Sequence, residues 1–194
     1  MRRVRTIGLA LLAALAAGAV ATASASAFTE FEASPLGGTI GGKATTTQVF
    51  TTNAGRTECT GATPKGEVKH TKTETEIVKI QYTGCKALSQ KTKISEAEFE
   101  FNAKTGEAAI KNTITITVEE AGLGCTVKIS PAGNSKLTGM SYENKGKKML
   151  AKASVAAITF TTSGGFCGKG ANNATYAGTV ETEINGGEGL INVK

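Results

Sequence analysis

The sequence predicts an all-β fold: an antiparallel β-sandwich, or else an irregular β-barrel, stabilised by disulfides. Three observations predict it. β-Branched residues alternate with polar ones at period two over much of the chain, the pattern of strands with one buried face. Glycine-containing turn signals interrupt these stretches at short intervals, as in sandwiches and barrels. Four Cys follow an export-type leader, and an even number in an oxidising compartment reads as a disulfide framework.

Residues 1–27 have the layout of a signal peptide. Arg2, Arg3 and Arg5 form a positive start, an apolar run extends from Ile7 to Val20, and Ala25-Ser26-Ala27 offers small residues for cleavage before Phe28. The apolar run is roughly 14 residues, short of the ~20 that span a bilayer. No Cys follows it to take a lipid, and the last five residues carry no hydrophobic tail. The expectation is a secreted chain with no stable membrane anchor. Residues 28–44 read as a flexible N-terminal segment, and 45–194 as a single β domain of ordinary size.

Strands are predicted in order at residues 46–52, 73–82, 97–101, 112–118, 126–129, 147–162 and 174–184. The clearest is 112–118, where Ile114, Ile116 and Val118 alternate with Thr113, Thr115 and Thr117. In 97–101, Phe99 and Phe101 face one way while Glu98 and Glu100 face the other. Residues 147–157 contain good helix formers, but they run directly into Ile158-Thr-Phe-Thr-Thr162, so the whole stretch reads as one long strand. Thr supplies 27 of residues 28–194, which biases the chain further toward strand. Turns are expected at Gly37-Gly38, Gly41-Gly42, Asn53-Ala54-Gly55, Lys104-Thr105-Gly106, Gly122-Leu123-Gly124, Asn144-Lys145-Gly146, Gly164-Gly165 and Gly186-Gly187. Phe50-Thr51-Thr52 ahead of Cys59 echoes Phe160-Thr161-Thr162 ahead of Cys167, and Thr75-Glu76-Ile77 echoes Thr182-Glu183-Ile184. Duplication and shared composition account equally well for the echo.

Cys59, Cys85, Cys125 and Cys167 allow three connectivities. Nearest-neighbour closure is easiest entropically and favours Cys59–Cys85 with Cys125–Cys167. No two of them are closer than 26 residues, which argues against a zinc ribbon or finger and against a Cys-x-x-Cys redox pair.

Composition narrows the chemistry. All 16 acidic residues are Glu; Asp is absent, His70 is the sole His, and there is no Trp. Asp-based catalysis and an Asp-oriented triad are therefore excluded, as is an Asp-rich calcium loop. Without the leader, 19 Lys plus Arg face 16 Glu, a net charge of +3. Arg56 is the single Arg in residues 28–194; with few aromatics for stacking, nucleic acid is not an expected partner. Lys145, Lys147, Lys148 and Lys152 read as a solvated loop. No Gly-x-Ser-x-Gly elbow is present, and no glycine turn ends in the Lys-Ser/Thr of a phosphate loop. Glu74/Glu76, Glu98/Glu100 and Glu181/Glu183 are i, i+2 pairs that could supply the two carboxylates of a glycosidase. They also fit a solvated strand face, with Lys on adjacent strands as counter-charges.

The run Val49-Phe-Thr-Thr-Asn-Ala-Gly55 before a Cys resembles an uncharacterised family of secreted, Thr- and Gly-rich bacterial proteins with four or more Cys. So do Tyr82-Thr-Gly-Cys85, Gly124-Cys-Thr-Val-Lys-Ile-Ser-Pro131, Ser141-Tyr-Glu-Asn144 and Gly164-Gly-Phe-Cys-Gly168. The likeness extends from about Thr45 to Val180. It implies export, a β fold and disulfides, and it brings no site residues. Some members have an additional mid-chain Cys pair, which has no counterpart here between Cys85 and Cys125.

The expected function is that of a secreted, non-enzymatic β-sandwich, a binding or cell-surface/matrix module for a cell-envelope or extracellular ligand, with no cofactor and no catalytic or metal-binding residues. One alternative is a secreted Glu-dependent hydrolase with Glu pairs on adjacent strands. The other is an inhibitor acting through the Gly-rich loop at 163–170, braced by Cys167.

Overall fold

The computed structural model describes residues 28–53, 55–118, 124–165 and 167–194. The leader lies outside the described residues, as do Gly122 and Leu123 of one expected turn and Phe166 of the Gly-rich loop. The described residues form strands and one short 3-10 turn, Asn185–Gly187. The strands are β1 (Phe31–Ser34), β2 (Thr39–Ala44), β3 (Gln48–Thr52), β4 (Gly55–Glu67), β5 (Lys72–Thr73), β6 (Thr75–Ala87), β7 (Gln90–Ile94) and β8 (Ala97–Asn102). They continue with β9 (Glu107–Ile110), β10 (Ile114–Val118), β11 (Cys125–Ile129), β12 (Leu137–Thr138), β13 (Met140–Lys145), β14 (Lys148–Ser163), β15 (Ala171–Ile184) and β16 (Leu190–Val193). All pairing is antiparallel. The fold is thus the all-β, sandwich-like antiparallel architecture that the alternation and the turns predict.

Four long strands, β4, β6, β14 and β15, of 13, 13, 16 and 14 residues, span the molecule. Each changes partner along its length. In one half the ladder runs β3–β4–β6–β7–β10–β11–β14–β15 and returns to β3. Closure of this kind removes exposed edges, and it is the feature of the barrel alternative that the sandwich incorporates. In the other half β2 replaces β3 between β4 and β15, while β8, β9 and β12 extend from β6 and β13 pairs with β14. A small sheet, β16–β1–β5, packs on this half. Its Phe31 meets Tyr142 of β13 edge-on, with ring centroids 5.2 Å apart.

Both favoured disulfides are present, Cys59–Cys85 and Cys125–Cys167. Cys59 and Cys85 are direct cross-strand partners in the β4–β6 ladder. Cys125 opens β11, and Cys167 lies in the connection between β14 and β15.

Where the sequence suggests a flexible segment at 28–44, the structure has strands β1 and β2, with Phe31, Ala33 and Ile40 in the core. These strands are short, and several of their partners lie far along the chain, in β15 and β16, so no local pattern reveals them. Gly41-Gly42 is not a turn but the middle of β2. At Gly42 (φ +143°) a Cβ would fall 1.9 Å from the Glu181 carbonyl oxygen, so glycine is what lets β2 approach β15. The Lys145–Lys152 cluster is a β13–β14 hairpin rather than a solvated loop. The echoed segments are not structurally equivalent. Cys59 is inside a strand and Cys167 in a connection, while Thr75 is exposed at the start of β6 and Thr182 buried near the end of β15.

Where the long strands bend, period-two burial slips by one residue. On β4 the inward set passes from Thr57 and Cys59 to Ala62 and Pro64, and on β6 from Val78, Ile80 and Tyr82 to Cys85 and Ala87. The slip is centred on Thr60 and Gly84; a Cβ on Gly84 (φ +63°) would meet the Thr60 hydroxyl at 2.1 Å. On β14 the slip falls at Ala157 (φ 57°), within a register shift between Val155 and Ile158. Such bulges bend a strand and increase its twist.

Bends leave backbone groups off the ladder, and Asn side chains take them up. Asn134, with no exposed surface, donates from Nδ2 to the carbonyls of Ser130 and Thr159, both at 2.8 Å, and accepts the Thr159 N–H at 2.9 Å. Asn144 exchanges a pair of 2.8 Å bonds with the Val193 backbone, tying β13 to β16. Asn112 accepts the Glu98 N–H and donates to the Glu96 carbonyl. In a chain without Asp, amides do this work and add no charge.

Candidate ligand cavity

The inner face of β14 and β15 is built from small residues at its centre. Ala153 pairs with Gly178 and Ala151 with Val180. The opposing wall, from β6, β8 and β9, carries Val78, Ile80, Phe99 and Ile110. Large side chains facing small ones at strand spacing leave an apolar cavity of about 70 Å³ between the walls. Phe31 and Ile191 of the small sheet also line it. A single ordered water needs only ~10–15 Å³, so the space exceeds a packing defect. The inward-facing Ala151, Ala153, Tyr176 and Gly178 are only partly buried.

Three polar features border this space. The first is closed. Tyr82 donates to the Tyr176 hydroxyl at 3.4 Å, Tyr176 donates to Gln48 Oε1 at 2.5 Å, and Gln48 Nε2 donates to the carbonyls of Thr46 and Thr179 at 2.7 and 3.2 Å. Burial pushes the Tyr176 phenol up to about 12 and Tyr82 well above its ordinary range, so both stay protonated. Gly178 makes room for the chain of bonds, since a Cβ there would fall 2.1 Å from Gln48 Oε1.

The second feature is Tyr142, on the cavity wall and 6% exposed, whose hydroxyl has no hydrogen-bond partner. Burial raises its pKa, so the hydroxyl is a neutral donor. A buried unpaired hydroxyl is uncommon, because its desolvation is uncompensated.

The third is Glu76. It is not on a solvated face as its pairing with Glu74 suggests: it is half-buried, in phase with Val78, Ile80 and Tyr82, and lines the cavity. Burial raises its pKa, partly opposed by a hydrogen bond from the Ile77 N–H and by the charges of His70 and Lys69. The folded state therefore holds the proton more tightly than the unfolded chain. Its contribution to stability is present below the unfolded carboxyl range and is lost as pH rises through the folded pKa. Glu76→Gln should accordingly be more stable than wild type at pH 7, with the gap shrinking as the pH falls through the raised folded pKa and closed once the pH is below the ordinary carboxyl range. Urea midpoints across that range measure it, and a less stable variant at pH 7 refutes the burial cost.

The other predicted site residues lie outside the cavity lining, and Glu181 among them is itself buried. Glu98 and Glu96 approach Lys79 at 3.9 and 3.7 Å, and Glu100 meets Lys111 at 3.2 Å. Glu181 and Glu183 bracket Lys148 at 3.0 and 2.6 Å, with Lys145 3.5 Å from Glu181. Lys on adjacent strands thus provides the counter-charges the Glu pairs require. The Lys148 hydrogen bond holds the Glu181 carboxyl below its usual range, and Lys152 does the same for Glu143. Glu74 accepts from Asn102 at 3.2 Å. His70 is exposed. Among the described residues no three His, Cys or Glu side chains converge as a metal site, and no helix is long and apolar enough to cross a membrane. Cys167 is buried, and Thr162 Oγ1 bonds the Gly168 carbonyl at 2.7 Å across the Gly-rich loop.

A second, open groove of about 420 Å³ lies between β6 and the β7–β10 pair, walled by hydroxyls such as those of Thr115 and Thr117. Its buried hydroxyls, on Thr92 and Tyr82, already have partners. No family model matches the chain, and neither a curated protein nor a solved structure is significantly similar to it.

Proposed function

We propose that the protein is a secreted, non-enzymatic binding module that holds a small ligand between its sheets. The observation that carries this reading is the cavity's lining: apolar on nearly all sides, with Glu76 as its one carboxyl. A Glu-dependent hydrolase needs two carboxylates converging on one bond, and the other Glu pairs lie against Lys, outside the cavity lining. An apolar enclosure with a few polar groups is instead the usual form of a small-molecule site. Two disulfides with no free Cys support an oxidising destination, and the leader supports export.

Protein recovered from the culture medium of a producing cell tests both halves. Its N-terminus should be Phe28, its mass four hydrogens below the reduced chain, and gentle native mass spectrometry should show a non-covalent small-molecule adduct. Turnover of a glycan, ester or peptide panel that is lost in Glu76→Gln would overturn the non-enzymatic reading.

A further inference from the structure

We infer that the tip of the β6–β7 hairpin is a contact site for an anionic lipid surface. Leu88 enters the acyl boundary, and Lys86 and Lys91 meet the lipid phosphates. The inference does not depend on what the cavity holds, so the binding-module reading stands or falls separately.

The tip departs from three local rules. β6 ends at Ala87 and β7 begins at Gln90, its register partner, so Leu88 and Ser89 form a two-residue connection. Both have positive φ, 49° and 68°, the geometry of a type I′ turn, which suits Asn-Gly or Asp-Gly. Among the described residues the other positive-φ positions without glycine are Ala157 and Asn185, neither of them large and apolar. Leu88 is also 82% exposed, more than Leu36 or Ile77, the other uncovered large hydrophobics. Backbone strain and lost burial both favour Asn or Gly here on stability grounds, and a residue kept against both points to a use outside the fold.

The third departure is charge. Lys86 and Lys91 are direct cross-strand partners, and like charges opposite one another repel. On its other side Lys86 faces Glu58, but that carboxylate is held by Arg56 at 2.6 Å. Both lysines are exposed, and neither forms an ion pair among the described residues.

These features fix the partner's chemistry. A protein pocket for Leu88 would cover it with an apolar rim, whereas the rim here is lysine. One aliphatic side chain backed by cations suits an interface with acyl chains below and anionic headgroups above. The surroundings keep the same sign: in sequence, residues 53–58, 86–93, 119–124 and 164–170, from the strand ends and connections on this side of the closed ladder, hold five basic residues and three Glu. One leucine and two lysines give a reversible contact, well short of a stable anchor.

The test uses the oxidised protein recovered from medium. It is co-sedimented with vesicles of equal parts phosphatidylglycerol and phosphatidylcholine, and with pure phosphatidylcholine. Wild type should bind the anionic vesicles, release them as salt is raised, and ignore the neutral ones. Lys86→Gln and Lys91→Gln should each weaken binding about fivefold. Leu88→Asn should weaken it at least about tenfold while raising the urea midpoint, because Asn tolerates positive φ. A merely structural Leu88 would move the two readouts together. The chain has no Trp, so Leu88→Trp places a single indole at the tip. Its emission should shift to the blue on anionic vesicles and be quenched by lipids brominated in the acyl chain. Undiminished binding by Leu88→Asn, equal binding to neutral vesicles, or an unshifted Leu88→Trp emission would overturn the inference. So would folded wild type that ignores anionic vesicles, including one that crosslinks through the tip to an envelope protein instead.

Discussion

Replacing Cys125 and Cys167 by Ser is expected to cost about 4 kcal/mol of unfolding free energy, and replacing Cys59 and Cys85 about 3.5 kcal/mol, from loop entropy. The order follows from sequence separations of 42 and 26 residues. The two bridges differ more in what they hold locally. Cys59–Cys85 lies within a ladder of eight register pairs between β4 and β6, so the native pairing persists when the bridge is gone. Cys125–Cys167 stands at the margin of the β11–β14 ladder, which has three pairs, Thr126↔Ser163, Val127↔Thr162 and Lys128↔Thr161. Its loss should therefore open this end, with amide protection falling at 125–129 and 161–163. The Cys59–Cys85 variant should lower stability while leaving the local pattern of protection in place. A domain of this size is stable by about 5–15 kcal/mol in total, so reducing both bridges leaves it marginal or unfolded. Urea denaturation with hydrogen exchange measures both effects. A Cys125→Ser/Cys167→Ser variant within 1 kcal/mol of wild type would contradict the ranking.

The same bridge illustrates what a single sequence makes legible. Cysteine spacing favours the pairing because closing short loops is the cheaper solution, and the fold brings those partners together. Strands with β-branched or aromatic residues on a consistent face, such as β10 and β8, are equally plain. β4 is not, although it has 13 residues. Its inward positions are Thr57, Cys59, Ala62 and Pro64, none of them a large aliphatic, and its phase slips at Thr60. A strand whose apolar face is small and changes side midway carries no clean period-two signal. Pro64 lowers the signal further; it falls between the stretches of β4 that pair with β3 and β2, a position where proline is tolerated in a sheet.

The cavity was partly within reach. Glu76 is in phase with Val78, Ile80 and Tyr82, so alternation alone places it inward; pairing it with Glu74 as a surface motif obscured this. The facing wall could not be read. Ala151, Ala153 and Gly178 are unremarkable as small residues, and they make a cavity only because Phe99 and Ile110, dozens of residues away, fail to fill the space opposite. Tyr142 needs the same knowledge: that its hydroxyl is unpartnered depends on Phe31 and β16, which the chain supplies from its two ends.

Asn134→Ala is expected to cost about 3–5 kcal/mol, more than an average buried side chain of its size. The reason is the bulge in β14. Between Ile158 and Phe160 the β15 register shifts, and Thr159 is left with both backbone groups off that ladder. Asn134 accepts the N–H and donates to the carbonyl, and its second amide hydrogen serves Ser130. Its own backbone carbonyl accepts from Ile110, binding β9 to the same loop. Truncation would strand three backbone groups, each costing ~1–3 kcal/mol where water cannot replace the lost partner. Some water will enter the space vacated, so the total falls below the full sum. Leu at this position should do no better than Ala, since it restores volume but not one bond. Asp restores the acceptor for the Thr159 N–H, but it sets a buried negative charge against two carbonyl oxygens, so it should be the worst of the three at pH 7 and improve on acidification. That ranking, Asp below Leu and Ala at neutral pH with the order compressed near pH 4, separates lost hydrogen bonds from lost packing. If Leu recovered most of the stability, the side chain would be acting as filler, and the bulge would have to be held by something else.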